Sequence, residues 1–247
     1  MKRLMPRLVA IGMVIATASC GIHCNHQPKR VPLEIKLPKP LFISEPRYRN
    51  VPNLEKPFGK PRPPFLVPAG TRNVALGKTV YSTDKAPVIG KIEKVTDGRK
   101  EGTQRDFVEL NPGLQSVTID LGRRYAVYAI LLWHNTRHLW VYYDIVVQVA
   151  DDPDFTANVR TLFNNDVDNS AGLGAGKDKH YVETSEGKLI DARGIKARYV
   201  RLYSNGNSAN EYNHYTEVAR SEATKQSRPL GSTWITQRME IASLRSQ

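Results

Sequence analysis

Between Ser116 and Tyr203 the chain is built from short apolar runs, most of them alternating and set off by Gly, Asn or Asp. Ser116–Leu121 (SVTIDL) sets Val117, Ile119 and Leu121 on one face and stops at Gly122. Asp144–Ala150 (DIVVQVA) sets Ile145, Val147 and Val149 against Val146 and Gln148. Val127–Trp133 (VYAILLW) is denser, β-branched and aromatic, and Arg160–Phe163 and Arg198–Tyr203 add two further runs. A period of two over four to eight residues is the mark of a strand, and no window carries a sustained helical period. Strands of this kind, separated by regular turn signals, confine the chain to the all-β class as an antiparallel sandwich or barrel. Trp133 continues an apolar strand and reads as core.

The flanks have a different texture. The formal charge of the chain is +12. Residues 1–27 carry +3, residues 28–72 carry +7 and residues 219–247 carry +3, which leaves 73–218 at −1. The foldable part is therefore near neutral, which excludes a basic nucleic-acid groove there. Residues 1–19 have a basic start and an apolar run from Leu8 to Ala18, too short to span a bilayer and matching a secretory signal. Ala16-Thr17-Ala18 suits ordinary cleavage, whereas Thr17-Ala18-Ser19-Cys20 resembles a bacterial lipobox with Cys20 as the lipidated residue. Both readings export the chain, as an envelope lipoprotein or as a secreted or periplasmic protein. A Cys20–Cys24 bridge would close only a tiny loop, so the fold must hold without disulfides. Residues 20–72 are Pro-rich and basic, 11 of the 16 prolines falling in 28–72, and read as a stiff extended spacer. Leu33, Ile35, Phe42, Tyr48 and Phe65 leave room for part of it to pack on the domain. After Val218 the alternation stops, and 219–247 reads as an irregular tail.

Four stretches in order resemble one family. Asn73-Val-Ala-Leu-Gly-Lys78, Val95-Thr-Asp-Gly98, Val117-Thr-Ile-Asp-Leu-Gly122 and Ala197-Arg-Tyr-Val-Arg-Leu202 are similar to the "N-x-A-x-G-K", "x-x-D-G", "V-x-I-D-L-G" and "A-R-Y-V-R-L" segments of discoidin domains, also called coagulation factor 5/8 type C domains. The resemblance covers roughly 73–218. It implies a jelly-roll-like antiparallel β-sandwich of about eight strands, galactose-binding-like and similar to family 32 carbohydrate-binding modules. The terminal cysteines of animal members are absent. The closing segment, usually "E-V-x-V-Y-G", reads Glu217-Val-Ala-Arg-Ser221 here, which implies a shortened last strand.

The resemblance also implies a structural Ca²⁺ held by the Asp of the D-G turn and the Glu of the closing strand, which are Asp97 and Glu217. Ca²⁺ takes six to eight hard oxygens, and an irregular loop supplies the carbonyls that a strand cannot. The alternative is a plain Asp-Gly turn. In sugar-binding relatives, loops at one end of the sandwich hold the glycan. Here His134, Arg137, His138 and Trp140 come from one loop, and Asn205, Asn207, Asn210 and Tyr212 from another. Planar amides, Arg and His suit paired hydroxyls, and an aromatic face suits the C–H side of a sugar.

Other motifs fail. Asp166, Asp168 and Ser170 alternate as in an EF-hand, but Ala171 takes the glycine position and Lys177 the twelfth, so the loop reads as turn-rich and polar. Gly172–Lys177 lacks the leading glycine of a phosphate loop. Neither H-E-x-x-H nor G-x-S-x-G occurs, and no cysteine lies in 73–218. The expectation is a non-catalytic envelope protein that binds carbohydrate or a glycosylated partner. The reading left open beside it is a structural or protein–protein interaction module without a sugar site.

Overall fold

The computed structural model describes residues 29–40, 47–56, 59–101, 103 and 106–223. Among these residues the secondary structure is β throughout, apart from one 3-10 turn, Ile92–Thr96. The strands are β1 (Arg30–Pro32), β2 (Leu66–Pro68), β3 (Thr71–Asn73), β4 (Thr79–Ser82), β5 (Val108–Leu110), β6 (Gln115–Trp133), β7 (Val146–Ala150), β8 (Arg160–Asn164), β9 (Lys188–Ser204), β10 (Asn213–Tyr215) and β11 (Glu217–Ala223). A seven-stranded antiparallel sheet runs in the order β3-β11-β6-β9-β7-β8, with β4 also paired to β6. The β5–β10 pair forms a second small sheet, and β1–β2 a third. Val108, Leu110 and Tyr215 of the small sheet share one buried cluster with Val117, Ile119, Val147, Val200 and Leu202 of the large one. The expected antiparallel β-sandwich is the fold.

The two runs expected at 116–121 and 127–133 lie on one continuous strand, β6. Its register against β9 shifts between Asp120 and Tyr125 and again between Val127 and Ala129. These bulges let one strand serve two partners: its first half pairs with β4, its second with β11. Gly122, at φ 87°, takes a backbone conformation that favours glycine, where its amide N–H donates to Asp120 Oδ1. Asp120 also holds Arg198 of β9 through two contacts of 2.8 Å, one to each carboxylate oxygen.

Beyond the second bulge β6 is apolar on both faces. Ile130 and Leu132 point into the main core, whereas Ala129, Leu131 and Trp133 form a second cluster on the other face. That cluster is covered by Leu33, Ile35 and Phe65, with Leu189 and Ala219. Residues 29–40, 47–56 and 59–72, read from composition as a stiff spacer, therefore lie on the domain. Prolines limit their hydrogen bonding to a narrow ribbon, in which the Leu33 N–H donates to the Phe65 carbonyl at 2.8 Å. Their apolar side chains still gain by covering Trp133, which is 0% exposed; burial of a large side chain is worth about 1.5–3 kcal/mol. Phe42 lies outside the described residues.

The last strand corrects the expectation at the C-terminal side. It does not stop at Val218 but continues to Ala223, pairing with β6 and, over its final residues, with β3. Strand pairing needs backbone groups rather than alternating side chains, so Arg220 and Ser221 extend the ladder despite their polarity. Residues 1–28, with Cys20 and the signal segment, and residues 224–247 lie outside the described residues.

Candidate functional site

The loop that follows β6 and the loop that follows β9 meet at one end of the sandwich. Asn205 N–H donates to the Tyr143 carbonyl at 3.0 Å, Tyr143 N–H to Gly206 at 3.1 Å, and Ser208 N–H to Val141 at 2.8 Å. The Ser208 hydroxyl accepts the Val141 N–H at 3.0 Å. The two sequence-derived residue sets are thus carried by one stitched surface, although their side chains divide into three kinds.

Arg137, His138 and Trp140 are half-buried at this surface. The His138 ring stacks on the Trp140 indole, with centroids 4.0 Å apart and planes within 6°. Burial, followed by the nearby Arg137 and His214, holds the His138 pKa below its usual value, so the ring is neutral at pH 7. Trp140 Nε1 and Arg137 Nε are buried and have no hydrogen-bond partner among the described residues.

His134 is different: it is 0% exposed and cannot touch an external ligand. Its Nδ1 lies 2.9 Å from Glu183 Oε2, and its ring stacks on Tyr142 at 4.1 Å. The Thr216 hydroxyl donates to its carbonyl at 2.6 Å. His134 is a buried post beneath the surface, because it continues the apolar strand of Trp133 before the loop turns outward.

The asparagines mostly hold the turn. Asn207 is buried; its Nδ2 donates to Asn210 Oδ1 and the Tyr212 carbonyl, and its Oδ1 accepts the Ala209 and Asn210 N–H groups. Asn205 Nδ2 donates to Asp144 Oδ2. Asn210 is exposed and Tyr212 half-buried, so these two remain open to solvent.

Sequence reasoning did not assign a role to the relay behind Trp140. His214 lies tilted against Trp140 at 5.8 Å, with its Nε2 2.9 Å from Glu109 Oε2 and its Nδ1 3.1 Å from the Tyr142 hydroxyl. Tyr142 also accepts the Asn135 N–H, and its burial, reinforced by Glu183, raises its pKa well above the usual value. Glu109 belongs to a three-residue strand on the far small sheet, paired with His214 across the ladder. No local pattern links two residues so far apart in sequence; only the pairing of β5 with β10 does.

At the D-G turn the buried Glu217 side chain reaches the backbone beside Asp97, whose own side chain is exposed. Glu217 is 1% exposed, and its Oε2 accepts the Gly98 N–H at 2.9 Å. Its Oε1 is buried with no partner. Burial pushes its pKa up to about 7, with Lys100 opposing and Asp97 adding to the rise. Asp97 is exposed and its Oδ1 accepts the Arg99 N–H at 2.8 Å. A buried carboxylate oxygen without a donor beside an irregular, carbonyl-bearing turn fits a hard cation. Elsewhere, carboxylate oxygens of Asp144, Asp166 and Asp168 lie within 4.8 Å of one another. Asp166 accepts the Ser170 and Ala171 N–H groups there, as a turn-rich loop would have it.

Among solved structures, the chain is similar to a chitosan-binding module of a chitosanase/glucanase from Paenibacillus sp. IK-5, at 18% identity over 60% of this chain and 98% of that one, with a TM-score of 0.43. It is also similar to a fucose-binding module of Streptococcus pneumoniae, at 16% identity over 62% and 99%, with a TM-score of 0.45. A family 32 carbohydrate-binding module of C. perfringens, solved with galactose, shares 12% identity over 62% and 99%, with a TM-score of 0.43. No family model and no curated protein matches the chain.

Proposed function

We propose that this chain is a non-catalytic binding module that recognises carbohydrate, free or on a glycosylated partner, at the loop surface around Trp140. The observation that supports it is the His138–Trp140 stack, half-buried where the loops after β6 and β9 join. The indole is packed on the core beneath it, so the His138 ring stacked on it and the exposed part of the indole present the flat surface offered to sugar C–H groups. Arg137, Asn210 and Tyr212 then supply directional bonds to hydroxyls. His134, Tyr142, His214 and Glu109 hold this surface from below. Ca²⁺, held by Glu217 with Asp97 and turn carbonyls, belongs to the same proposal as a structural ion away from the sugar. Export on a signal segment, with Cys20 lipidated, belongs to it as well.

The test is a glycan array probed with the full chain, followed by titration of the best glycan against Trp140→Ala and Arg137→Ala. Binding by the wild type that falls at least tenfold in both variants supports the proposal. An array without any binder, together with capture of one specific protein partner, overturns it in favour of an interaction module.

A further inference from the structure

A cleft of about 490 Å³ opens where the N-terminal arm crosses the turn that leads into β9. Its floor is fixed. Trp133 Nε1 donates to the Ser185 carbonyl at 3.0 Å, and Gly187 N–H to Thr184 at 3.0 Å. Gly187, at φ 62°, lies so close to Trp133 that a Cβ there would meet the indole nitrogen at 2.6 Å. The arm is clamped onto this floor by Arg62, whose Nη2 donates to the Glu186 and Gly187 carbonyls at 2.7 Å each. Pro63, Val182 and Leu189 contribute apolar lining, and the cleft falls in the size range of small-molecule sites.

The charges lining it do not cancel. Lys188 Nζ pairs with Glu55 at 2.8 Å, and Arg62 with Glu186 at 3.5 Å. Those two pairs consume both lining carboxylates. Among the described residues, Lys56 and Lys60, exposed at the same cleft, pair with no carboxylate, and Arg62 Nη1 is buried without an acceptor. A concave, partly apolar site with two spare ammonium groups selects a ligand that brings an anionic group and a compact body.

We propose that this cleft, between Lys56, Lys60 and Arg62 of the arm and the Tyr181–Leu189 turn, is a second binding site, for a small carboxylate-bearing ligand the size of one sugar-acid residue. The carboxylate meets Lys56 and Lys60, and the body lies against Pro63 and Leu189. The same chemistry is offered by a free acid and by one residue of an acidic polymer. The site is independent of Trp140.

The test is calorimetric titration of the full chain with sodium galacturonate, tetragalacturonate and galactose, at low and at raised sodium chloride. Lys56→Glu/Lys60→Glu changes exposed side chains only and keeps the fold; Trp140→Ala serves as the control. The expected result is binding of at least one acid, weakened by salt and at least tenfold in the double lysine variant, and unchanged in Trp140→Ala. Binding of the monomer assigns a free acid, and binding of the tetramer alone assigns a polymer residue. No binding of either acid, equal binding of acid and galactose at this cleft, or acid binding indifferent to the lysine variant overturns the proposal. Loss of array binding in Trp140→Ala leaves it standing.

Discussion

Arg220 stands in the middle of β11 with 1% exposure, and among the described residues its Nε, Nη1 and Nη2 all lack a hydrogen-bond partner. Its backbone is well held, the N–H donating to Asn73 Oδ1 and the carbonyl accepting the Val74 N–H. The side chain therefore carries the cost. Burial lowers its pKa well below its usual value, to about 9. At about 1.4 kcal/mol per tenfold, that fall corresponds to roughly 5 kcal/mol against the charged form at pH 7. Replacing a buried charge by an apolar side chain of similar volume recovers part of such a cost, on the order of 1–4 kcal/mol. Arg220→Met is expected to stabilise the domain by about 2–3 kcal/mol and to raise Tm by several degrees. The sign with pH follows from linkage. As pH rises past about 9 the folded chain releases a proton that the unfolded one still keeps, so the wild-type penalty shrinks as pH rises. The gain from methionine is thus full at pH 7 and smaller at pH 10. Urea unfolding followed by tryptophan fluorescence at both pH values measures it. A methionine variant less stable than wild type at pH 7, or a gain that does not change by pH 10, would refute the reasoning.

Three further outcomes are expected. Calcium should raise the wild-type Tm by several degrees over a chelator, since a ligand at 100 times its Kd adds about 2.7 kcal/mol, and Glu217→Gln should remove the difference; identical melting of the wild type in both conditions sinks the ion. Gly187→Ala combines a positive φ with a 2.6 Å approach to Trp133, and should cost on the order of 1–3 kcal/mol in chemical denaturation with a shift in tryptophan emission. Phe65→Ala uncovers the Trp133 face and should cost about 3 kcal/mol and increase dye binding to exposed apolar surface; an unchanged midpoint would mean the arm adds nothing to stability.

Much of the fold was legible because alternation is a direct record of one-sided burial. Val117, Ile119 and Leu121, like Val147 and Val149, point into the main core as their spacing requires. The dense run Val127–Trp133 marked a strand but not what covers it. Its second apolar face is explained only by Leu33, Ile35 and Phe65, far upstream in a segment whose prolines read as spacer. The end of β11 was misread for a related reason. A polar side chain such as Arg220 breaks the hydrophobic pattern without breaking the ladder.

The candidate site was legible in its loops and less so in its side chains. Asn207 and His134 have the chemistry of ligand groups, yet the same amide and imidazole atoms are spent on turn N–H groups and on Glu183. Sequence by itself determined the main apolar strands and the two loops, since these follow from period and from residues that favour tight bends. Tertiary structure alone decided which polar groups face outward, how Glu109 comes to sit against His214, and that Glu217 lies against the Gly98 N–H. The physical reason is that hydrogen-bond partners are chosen by geometry across the sheet, and residues a hundred positions apart leave no shared pattern along the chain.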